Sequence, residues 1–240
     1  MTGGTGLTLL GFDTETTGVS PVHDRIVTAA LVYNNGTDRQ LKEWLASPDV
    51  PISEQASAVN GITNEYAAAN GRPPVEVADE IAETIAQRVR SGCALVIFNA
   101  LFDLPLLQAE LRRNSLKSLE ARLAEAQLLV LDPLVLDRTL DRYRRGPRRL
   151  ENLVQHYGVQ VEGNLHNAGT DVDATLAVLE SLWSRYPQLA EMSPTELMEL
   201  QRNGHREWAE HFNEWLAAQG RKPNVALDWP MSFNFDSGLW

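Results

Sequence analysis

The order of short apolar segments along the chain constrains its fold more than any other feature of the sequence. Three such segments come first, at residues 7–12, 26–33 and 40–45, and Asn35 and Gly36 lie between the second and the third. Asn-Gly between two apolar runs is a strong signal for a tight hairpin. We therefore predict that the beginning of the chain forms three antiparallel strands.

Helical and strand-like segments alternate after these three strands. Pro73 and Pro74 introduce an amphipathic segment in which Ile81, Ile85 and Val89 recur at helical spacing, as in a helix with one buried face. Alternation of strands and helices implies parallel strands joined by crossover helices. The predicted fold class is α/β, with a mixed sheet of three antiparallel strands followed by parallel strands, and flanking helices. The later strands are expected at 94–98 and 128–132, and the later helices at 102–114, 150–158 and 171–186.

A change of character at Pro187 divides the chain. Residues 193–220 predict one long helix with a stripe of leucine, tryptophan and phenylalanine, and residues 223–240 are aromatic and rich in turn residues. We predict a domain at residues 1–186 and a helical and aromatic C-terminal extension at residues 187–240. The extension is expected to pack on the domain or on a partner.

The composition is that of a folded protein of a reducing compartment. With 240 residues, 43% of them hydrophobic, the chain can bury a substantial core. Its one cysteine, Cys93, excludes an intramolecular disulfide, which fits the cytoplasm. The N-terminal residues lack the basic start of a signal peptide, and no apolar run approaches the ~20 residues that cross a bilayer. We expect a soluble, cytoplasmic protein without a membrane partner.

Two acids, Asp13 and Glu15, end the first predicted strand. Successive side chains of a strand point to opposite faces, so the two acids share a face and Thr14 points away. At a separation of about 5–6 Å and an effective dielectric of about 20, their repulsion is of order 3 kcal/mol. An isolated pair of this kind is more often a polar strand end that leads into a turn, so only other parts of the chain can give it a function.

Further polar residues lie at points where a predicted strand is followed by a predicted helix. Asn99 follows the strand at 94–98, Asp103 lies near the start of the next helix, and His166 and Asp171 precede or begin the last helix of the domain. Taken singly, the aspartates could complement helix dipoles and the histidine could be an exposed loop residue.

Together, these residues predict one acidic crevice. The carboxyl ends of strands in an open α/β sheet converge on a single crevice. Four carboxylates in that crevice, from Asp13, Glu15, Asp103 and Asp171, cannot all be ionised without hard cations, and Mg²⁺ and Mn²⁺ prefer such oxygen ligands. The sequence therefore predicts a pair of divalent metal ions.

Three stretches resemble, in order, the motifs of a known family. FDTETTG at 12–18, NALFD at 99–103 and HNAGTD at 166–171 are similar to those of the DEDDh (DnaQ-like) 3′→5′ exonucleases, typified by the proofreading subunit of bacterial DNA polymerase III. The resemblance extends from Leu7 to Tyr186. A sister class carries tyrosine four residues before the final aspartate, where this chain has Asn167, so the histidine class fits better.

The resemblance implies a ribonuclease H-like fold and release of nucleoside monophosphates from a free 3′ end. It implies that Asp13 bridges two metal ions, that Glu15 and Asp171 complete the site of the ion that activates water, and that Asp103 serves the second ion. His166 would take the proton from the attacking water as general base.

Substrate contacts are expected from four residues of the first two motifs. Thr16, Thr17 and Gly18 are expected to line the pocket for the terminal nucleotide, and Asn99 is expected to contact substrate. Phe102 is expected in the core rather than at the substrate.

Arginines at 142–149 are the other candidate substrate contacts. A net charge of −11 opposes the approach of a polyanion, and a cluster of arginines is a local remedy. We predict that Arg144, Arg145 and Arg148 contact phosphates upstream of the scissile bond. The alternative is an ordinary solvated loop.

Three functions remain open from the sequence. A DNA exonuclease of the proofreading or repair type, acting on single-stranded 3′ ends, is favoured. An RNA-trimming exoribonuclease of the oligoribonuclease or ribonuclease T kind would use the same acids. A non-catalytic nucleic-acid-binding module that kept the fold is the third. For the extension, the partners considered are a second copy of the chain and a polymerase or repair protein.

Overall fold

A computed structural model describes residues 7–161 and 167–231. Its centre is a five-stranded sheet of order β3-β2-β1-β4-β5. The strands β1 and β2 pair antiparallel, as do β2 and β3, whereas β4 pairs parallel with β1 and β5 pairs parallel with β4. The mixed sheet predicted from the sequence is confirmed. The strands are β1 (Leu9–Thr16), β2 (Ile26–Asn34), β3 (Arg39–Leu45), β4 (Ala94–Val96) and β5 (Val130–Leu131).

The two parallel strands are shorter than their apolar runs predict. Strands β4 and β5 contain three and two residues. Backbone bonds continue beyond them, since the N–H of Leu95 donates to the carbonyl of Leu129 at 2.8 Å and the N–H of Ile97 donates to that of Leu131 at 3.0 Å. The apolar runs therefore predict which residues are buried. These buried residues continue beyond the ends of the regular strands.

Helices flank the sheet, and the sequence predicted the long ones. Those at 74–90, 100–113, 150–157, 168–185 and 194–218 agree with the predicted segments within a few residues. The short ones lack a long apolar repeat and begin at local caps such as Ser53, Thr63 and Ser118. The helices are α1 (Glu54–Asn60), α2 (Asn64–Asn70), α3 (Pro74–Arg90), α4 (Ala100–Arg113), α5 (Leu119–Leu123), α6 (Pro133–Leu140), α7 (Leu150–Tyr157), α8 (Ala168–Arg185) and α9 (Pro194–Ala218), with a 3-10 turn at Pro187–Glu191.

A glycine lets α8 lie directly against β1. A Cβ added to Gly11 would lie 2.4 Å from Cγ1 of Val172 and 3.2 Å from Cγ of Leu176. Both of these side chains are buried. The close approach sets the second and third turns of α8 against β1, two residues before Asp13.

Helix α9 covers the outer edge of the sheet. The Gln201 side chain is fully buried; its amide donates to the carbonyl of Val130 at 2.9 Å, and its oxygen accepts the N–H of Asp132 at 2.8 Å. A strand edge left unpaired would expose such groups. Helix α9 also lies close to α6, because a Cβ added to Gly204 would lie 2.0 Å from Oγ1 of Thr139. Residues 194–218 therefore pack on the sheet of their own chain.

In the described residues, none of the helices combines the length and the apolar character that crossing a bilayer requires.

Replacing Gln201 tests this packing. The variant Gln201→Leu replaces the amide with an apolar side chain of similar size and leaves Val130 and Asp132 with unpaired backbone groups. We expect its free energy of unfolding to fall by about 3 kcal/mol, since each buried unpaired group costs about 1–3 kcal/mol. Urea unfolding of the full chain measures this change. Arg202→Gln, at the neighbouring exposed position of α9, serves as control, and equal stability of both variants would contradict the account.

Candidate active site

Three carboxylates meet at the carboxyl end of β1. Asp13 and Glu15 share one face of the strand, and Asp171 lies in the first turn of α8. One oxygen from each of the three lies within 4.8 Å of the others. The Asn167 side chain caps α8 by accepting the N–H groups of Gly169 at 3.1 Å and Thr170 at 3.3 Å. The structure thus brings together three of the acids that the sequence singled out.

The fourth acid, Asp103, reaches the same place from α4. Its side chain is buried, and the Thr14 hydroxyl donates to its Oδ1 at 2.6 Å. Thr14 points away from the face of Asp13, as the strand alternation predicts, but it functions as the hydrogen-bond partner that holds Asp103. The sequence analysis missed this role because it needs the position of α4.

A buried aspartate, Asp132, fixes the start of α4. Its two carboxylate oxygens accept the N–H groups of Asn99 at 3.0 Å and Ala100 at 2.9 Å, and it also caps α6 by accepting the N–H of Leu134 at 3.0 Å. Asn99 adopts the left-handed conformation, with φ of 65°, which asparagine tolerates better than most residues. The signal for this cap was present, since an aspartate before a proline commonly begins a helix.

Burial and mutual repulsion favour the protonated acids. Burial, followed by the charges of Asp103, Asp171 and Glu15, raises the pKa of Asp13 well above its ordinary value. Burial, with Asp171 and Asp103, raises the pKa of Glu15 to about 7. Burial raises the pKa of Asp103 to about 7 against the hydrogen bond from Thr14. Bound cations would reverse these effects by favouring the ionised form.

The carboxylates open into a cavity of about 670 Å³, which we call the acidic cavity. It is large enough for a nucleotide-sized ligand. Asn99 lines it with an exposed side chain, and its contact with substrate stays a prediction. Phe102 packs against the hydrophobic core, as the sequence predicts, and also lines the cavity. The lining residues are Asp13, Thr14, Val59, Phe98, Asn99, Phe102, Asp103, Leu134, Arg138, Arg148, Arg149, Leu150, Glu151 and Asp171.

The residues after the acids of the first motif build a turn. The Thr17 hydroxyl donates to Oδ1 of Asp24 at 2.8 Å, and the Thr16 hydroxyl donates to the carbonyl of Gly18 at 2.5 Å. Thr17 is only 2% exposed, and a Cβ added to Gly18 would lie 2.6 Å from Oδ2 of Asp24. These contacts give the three residues a structural role, and their contact with substrate stays a prediction.

The three arginines that the sequence assigns to phosphate binding have different surroundings. Arg144 and Arg148 both bind the carboxylate of Asp137, which is fully buried and also accepts the Tyr157 hydroxyl at 2.8 Å. Arg145 is exposed. The structure therefore gives Arg144 and Arg148 a structural ion pair that the sequence analysis did not foresee, while phosphate binding by the three arginines stays a prediction.

His166 lies outside the described residues, so its predicted role as general base stays a prediction. Arg138, by contrast, is a described residue that lines the acidic cavity and that the sequence analysis missed. Helix α6, which carries it, is eight residues long and had no recognisable apolar repeat. No signal in the sequence alone would have placed this arginine at the site.

Comparison with known proteins gives one family match. Residues 10–179 match the family RNase_T, described as exonuclease. The chain is similar to the PolC-type DNA polymerase III of Streptococcus thermophilus, with 29% identity over 171 residues, which cover 70% of this chain and 10% of the polymerase. The corresponding protein of Halalkalibacterium halodurans is 31% identical over 166 residues, which cover 68% and 10%. The chain thus spans about a tenth of the length of these curated relatives.

Solved structures share the fold. Exonuclease I from Methylocaldum szegediense aligns with a TM-score of 0.62 and 25% identity, over 77% of this chain and 42% of that one. E. coli exonuclease I in complex with a dT13 oligonucleotide aligns with a TM-score of 0.59 and 22% identity, over 77% and 43%. Exonuclease X in complex with 5′ overhanging duplex DNA gives 0.56 and 21%, over 80% and 99%. The ribonuclease H-like fold expected from the sequence is confirmed.

The raised pKa values make the stability of the metal-free protein depend on pH. Glu15 and Asp103 bind protons more tightly in the folded state than in the unfolded state. Their stabilising contribution is therefore complete at low pH and is lost as the pH rises through about 7. We expect the free energy of unfolding, measured with urea in a chelator, to fall more steeply between about pH 5 and about pH 8 in the wild type than in Glu15→Gln. Glu54→Gln, at an exposed position of α1, should keep the wild-type slope, and equal slopes in all three proteins would contradict the shifts.

The ion pair of Asp137 predicts a second stability effect. Arg148→Gln removes one of its two cationic partners and several donors to backbone carbonyls. We expect the midpoint of urea unfolding to fall by an amount that corresponds to about 3 kcal/mol, because a buried carboxylate loses compensation. Arg145→Gln removes one positive charge from the same segment, as Arg148→Gln does. We expect it to leave the midpoint of urea unfolding unchanged. If both variants unfold like the wild type, the pair contributes no stability.

Proposed function

The chain belongs to the RNase_T exonuclease family, and we propose that it is a metal-dependent 3′→5′ exonuclease acting on single-stranded DNA. The observation that carries the proposal is that Asp13, Asp103 and Asp171 line one cavity and that Glu15 lies in a cluster with Asp13 and Asp171. Nucleoside monophosphates would be the products. The chain spans about a tenth of the length of its curated relatives. The proposed activity therefore rests on the site of this chain and not on the activity of those whole proteins.

The acids fit divalent ions. Their hard oxygen donors suit Mg²⁺ or Mn²⁺, and three of the four carboxylates approach one another closely enough to share an ion. When bound, two such ions supply Lewis-acid activation of water and stabilise charge at the phosphate. We propose that Asp13 would help to hold both ions, that Glu15 and Asp171 would hold one of them, and that Asp103 would hold the other.

The remaining chemistry falls to the chain's own residues. His166 would accept the proton of the attacking water as general base. Thr14 holds Asp103 in place through its hydroxyl. Asn99, at the start of α4 on the cavity wall, would contact the terminal nucleotide, in line with its predicted role.

The similar proteins favour DNA over RNA as the substrate. The curated relatives are DNA polymerases, and exonucleases I and X of the same fold were crystallised with DNA. The acids of the cavity would act on the phosphate, which DNA and RNA share. RNA trimming is therefore the alternative function, and an assay on both substrates distinguishes the two. A polymerase or repair protein, or a second copy of the chain, stays a prediction as the partner of the extension.

Labelled oligonucleotides test the activity. With Mg²⁺, the full chain should shorten 5′-labelled single-stranded DNA as a ladder and release labelled mononucleotide from 3′-labelled DNA, and chelator should stop both. Asp13→Asn should abolish hydrolysis while the protein stays folded, because it removes a carboxylate that would hold the ions. Hydrolysis in excess chelator, or a fully active Asp13→Asn variant, would refute the proposal. Faster digestion of RNA than of DNA would identify RNA as the preferred substrate.

Replacing the histidine tests the proton transfer. His166→Ala should leave binding of single-stranded DNA unchanged and slow hydrolysis by roughly 10²- to 10⁴-fold, the usual contribution of a general base. His156→Ala, at a position outside the acidic cavity, is the matched control. A wild-type rate for His166→Ala at neutral pH would assign the proton to another acceptor.

A further inference from the structure

One cationic side chain of the acidic cavity, Arg138, lies within the influence of the Asp132 and Asp137 charges but forms no ion pair at contact distance with any described residue. The cavity wall contains three arginines, Arg138, Arg148 and Arg149. Arg148 is bonded to Asp137, and Arg149 is mostly exposed, with Glu151 at 3.8 Å. In the part of the chain that the structure describes, Arg138 alone of the three makes neither an ion pair nor a hydrogen bond. Its donors are therefore available to a ligand.

A tryptophan of the C-terminal extension holds this arginine. The Arg138 guanidinium carbon lies 3.8 Å from the ring centroid of Trp208 on α9. Trp208 stacks on Phe212 with centroids 5.3 Å apart, and Phe212 stacks on Trp215 with centroids 5.5 Å apart. Stacking on an aromatic face covers one side of the planar guanidinium and leaves the N–H donors at its edge free to bind an anion.

The position of Arg138 is also fixed by the backbone. Helix α9 lies against α6 at the next residue, where a Cβ on Gly204 would collide with the Thr139 hydroxyl. Burial lowers the pKa of Arg138 to about 10, so the side chain stays cationic at neutral pH. A half-buried cation at a cavity wall is stabilised by an incoming anion, and phosphate suits the two-pronged donor geometry of arginine.

We propose that Arg138 binds a backbone phosphate of the single strand, on the 5′ side of the scissile bond, and that Trp208 is its positioning residue. The inference rests on the proposed function, since it assigns a substrate contact in that same site. The acids and their ions serve the scissile phosphate, and Arg138 serves a neighbouring one. The C-terminal extension thereby contributes to substrate binding although none of its described residues lines the cavity.

The test compares charge-matched variants of the full chain. Arg138→Gln should raise KM for a single-stranded oligonucleotide about tenfold, the effect of about 1.4 kcal/mol, and change kcat by less than about threefold. Losing one phosphate contact should also make the slope of log affinity against log salt shallower by about 0.7. Binding is measured by fluorescence anisotropy with Ca²⁺ in place of Mg²⁺. Arg112→Gln, which removes an exposed arginine of α4 that does not line the cavity, should match the wild type.

Two variants of the tryptophan separate positioning from folding. Trp208→Leu should raise KM and weaken anisotropy binding in the same direction as Arg138→Gln, whereas Trp208→Phe, which keeps an aromatic face, should restore most of the affinity. Urea unfolding of each variant shows that it is folded. If Trp208→Leu and Trp208→Phe bind equally, Trp208 does not position the arginine.

The outcomes distinguish the two proposals. If the wild type hydrolyses DNA but Arg138→Gln keeps the wild-type KM and salt slope, or loses kcat alone, the role of Arg138 is refuted while the proposed function stands. If the wild type neither binds nor hydrolyses single-stranded DNA or RNA, both proposals fall. Loss of binding in Arg138→Gln with normal binding in Arg112→Gln supports the phosphate contact.

Discussion

The repulsion among four clustered carboxylates, one buried and three half-buried, is the interaction around which the rest of the site is arranged. Burial and their own charges raise the pKa values of Asp13, Glu15 and Asp103. The fold nevertheless uses specific contacts to keep the acids together, including the close approach at Gly11 and the Thr14 hydrogen bond to Asp103. The ionised form of such an arrangement is stable only with cations, and this is the physical basis of the proposed metal site.

The C-terminal helix is joined to the same centre through buried contacts. Gln201 completes the hydrogen bonds at the edge of β5, and Trp229 donates to the Asp132 carboxylate that also anchors the start of α4. Trp208 extends this connection to Arg138 on the cavity wall. Residues 194–218 therefore pack against the elements that carry the site, although the family match ends at residue 179.

Features that depend on local patterns could be predicted from the sequence. The strands and the long helices come from apolar runs, and the acids Asp13, Glu15, Asp103 and Asp171 come from motifs at strand ends. Contacts between distant elements could not be predicted in this way. The buried Asp137 recruits Arg144 and Arg148 into an ion pair across the segment that the sequence assigned to substrate. Strand alternation predicts the direction of the Thr14 side chain but not its hydrogen-bond partner. The position of the Arg138 side chain depends on its contact with a tryptophan 70 positions later.

Calorimetry of Mn²⁺ binding to the full chain, repeated at several pH values in buffers of different ionisation enthalpy, shows whether the carboxylates hold a metal ion. We expect saturable binding that releases protons near pH 6, because the acids must ionise to bind the metal, and that releases progressively fewer protons as the pH rises above about 7. Asp13→Asn should weaken this binding. Absence of saturable binding, or binding that releases no protons at any pH, would contradict the claim that these carboxylates form a metal site.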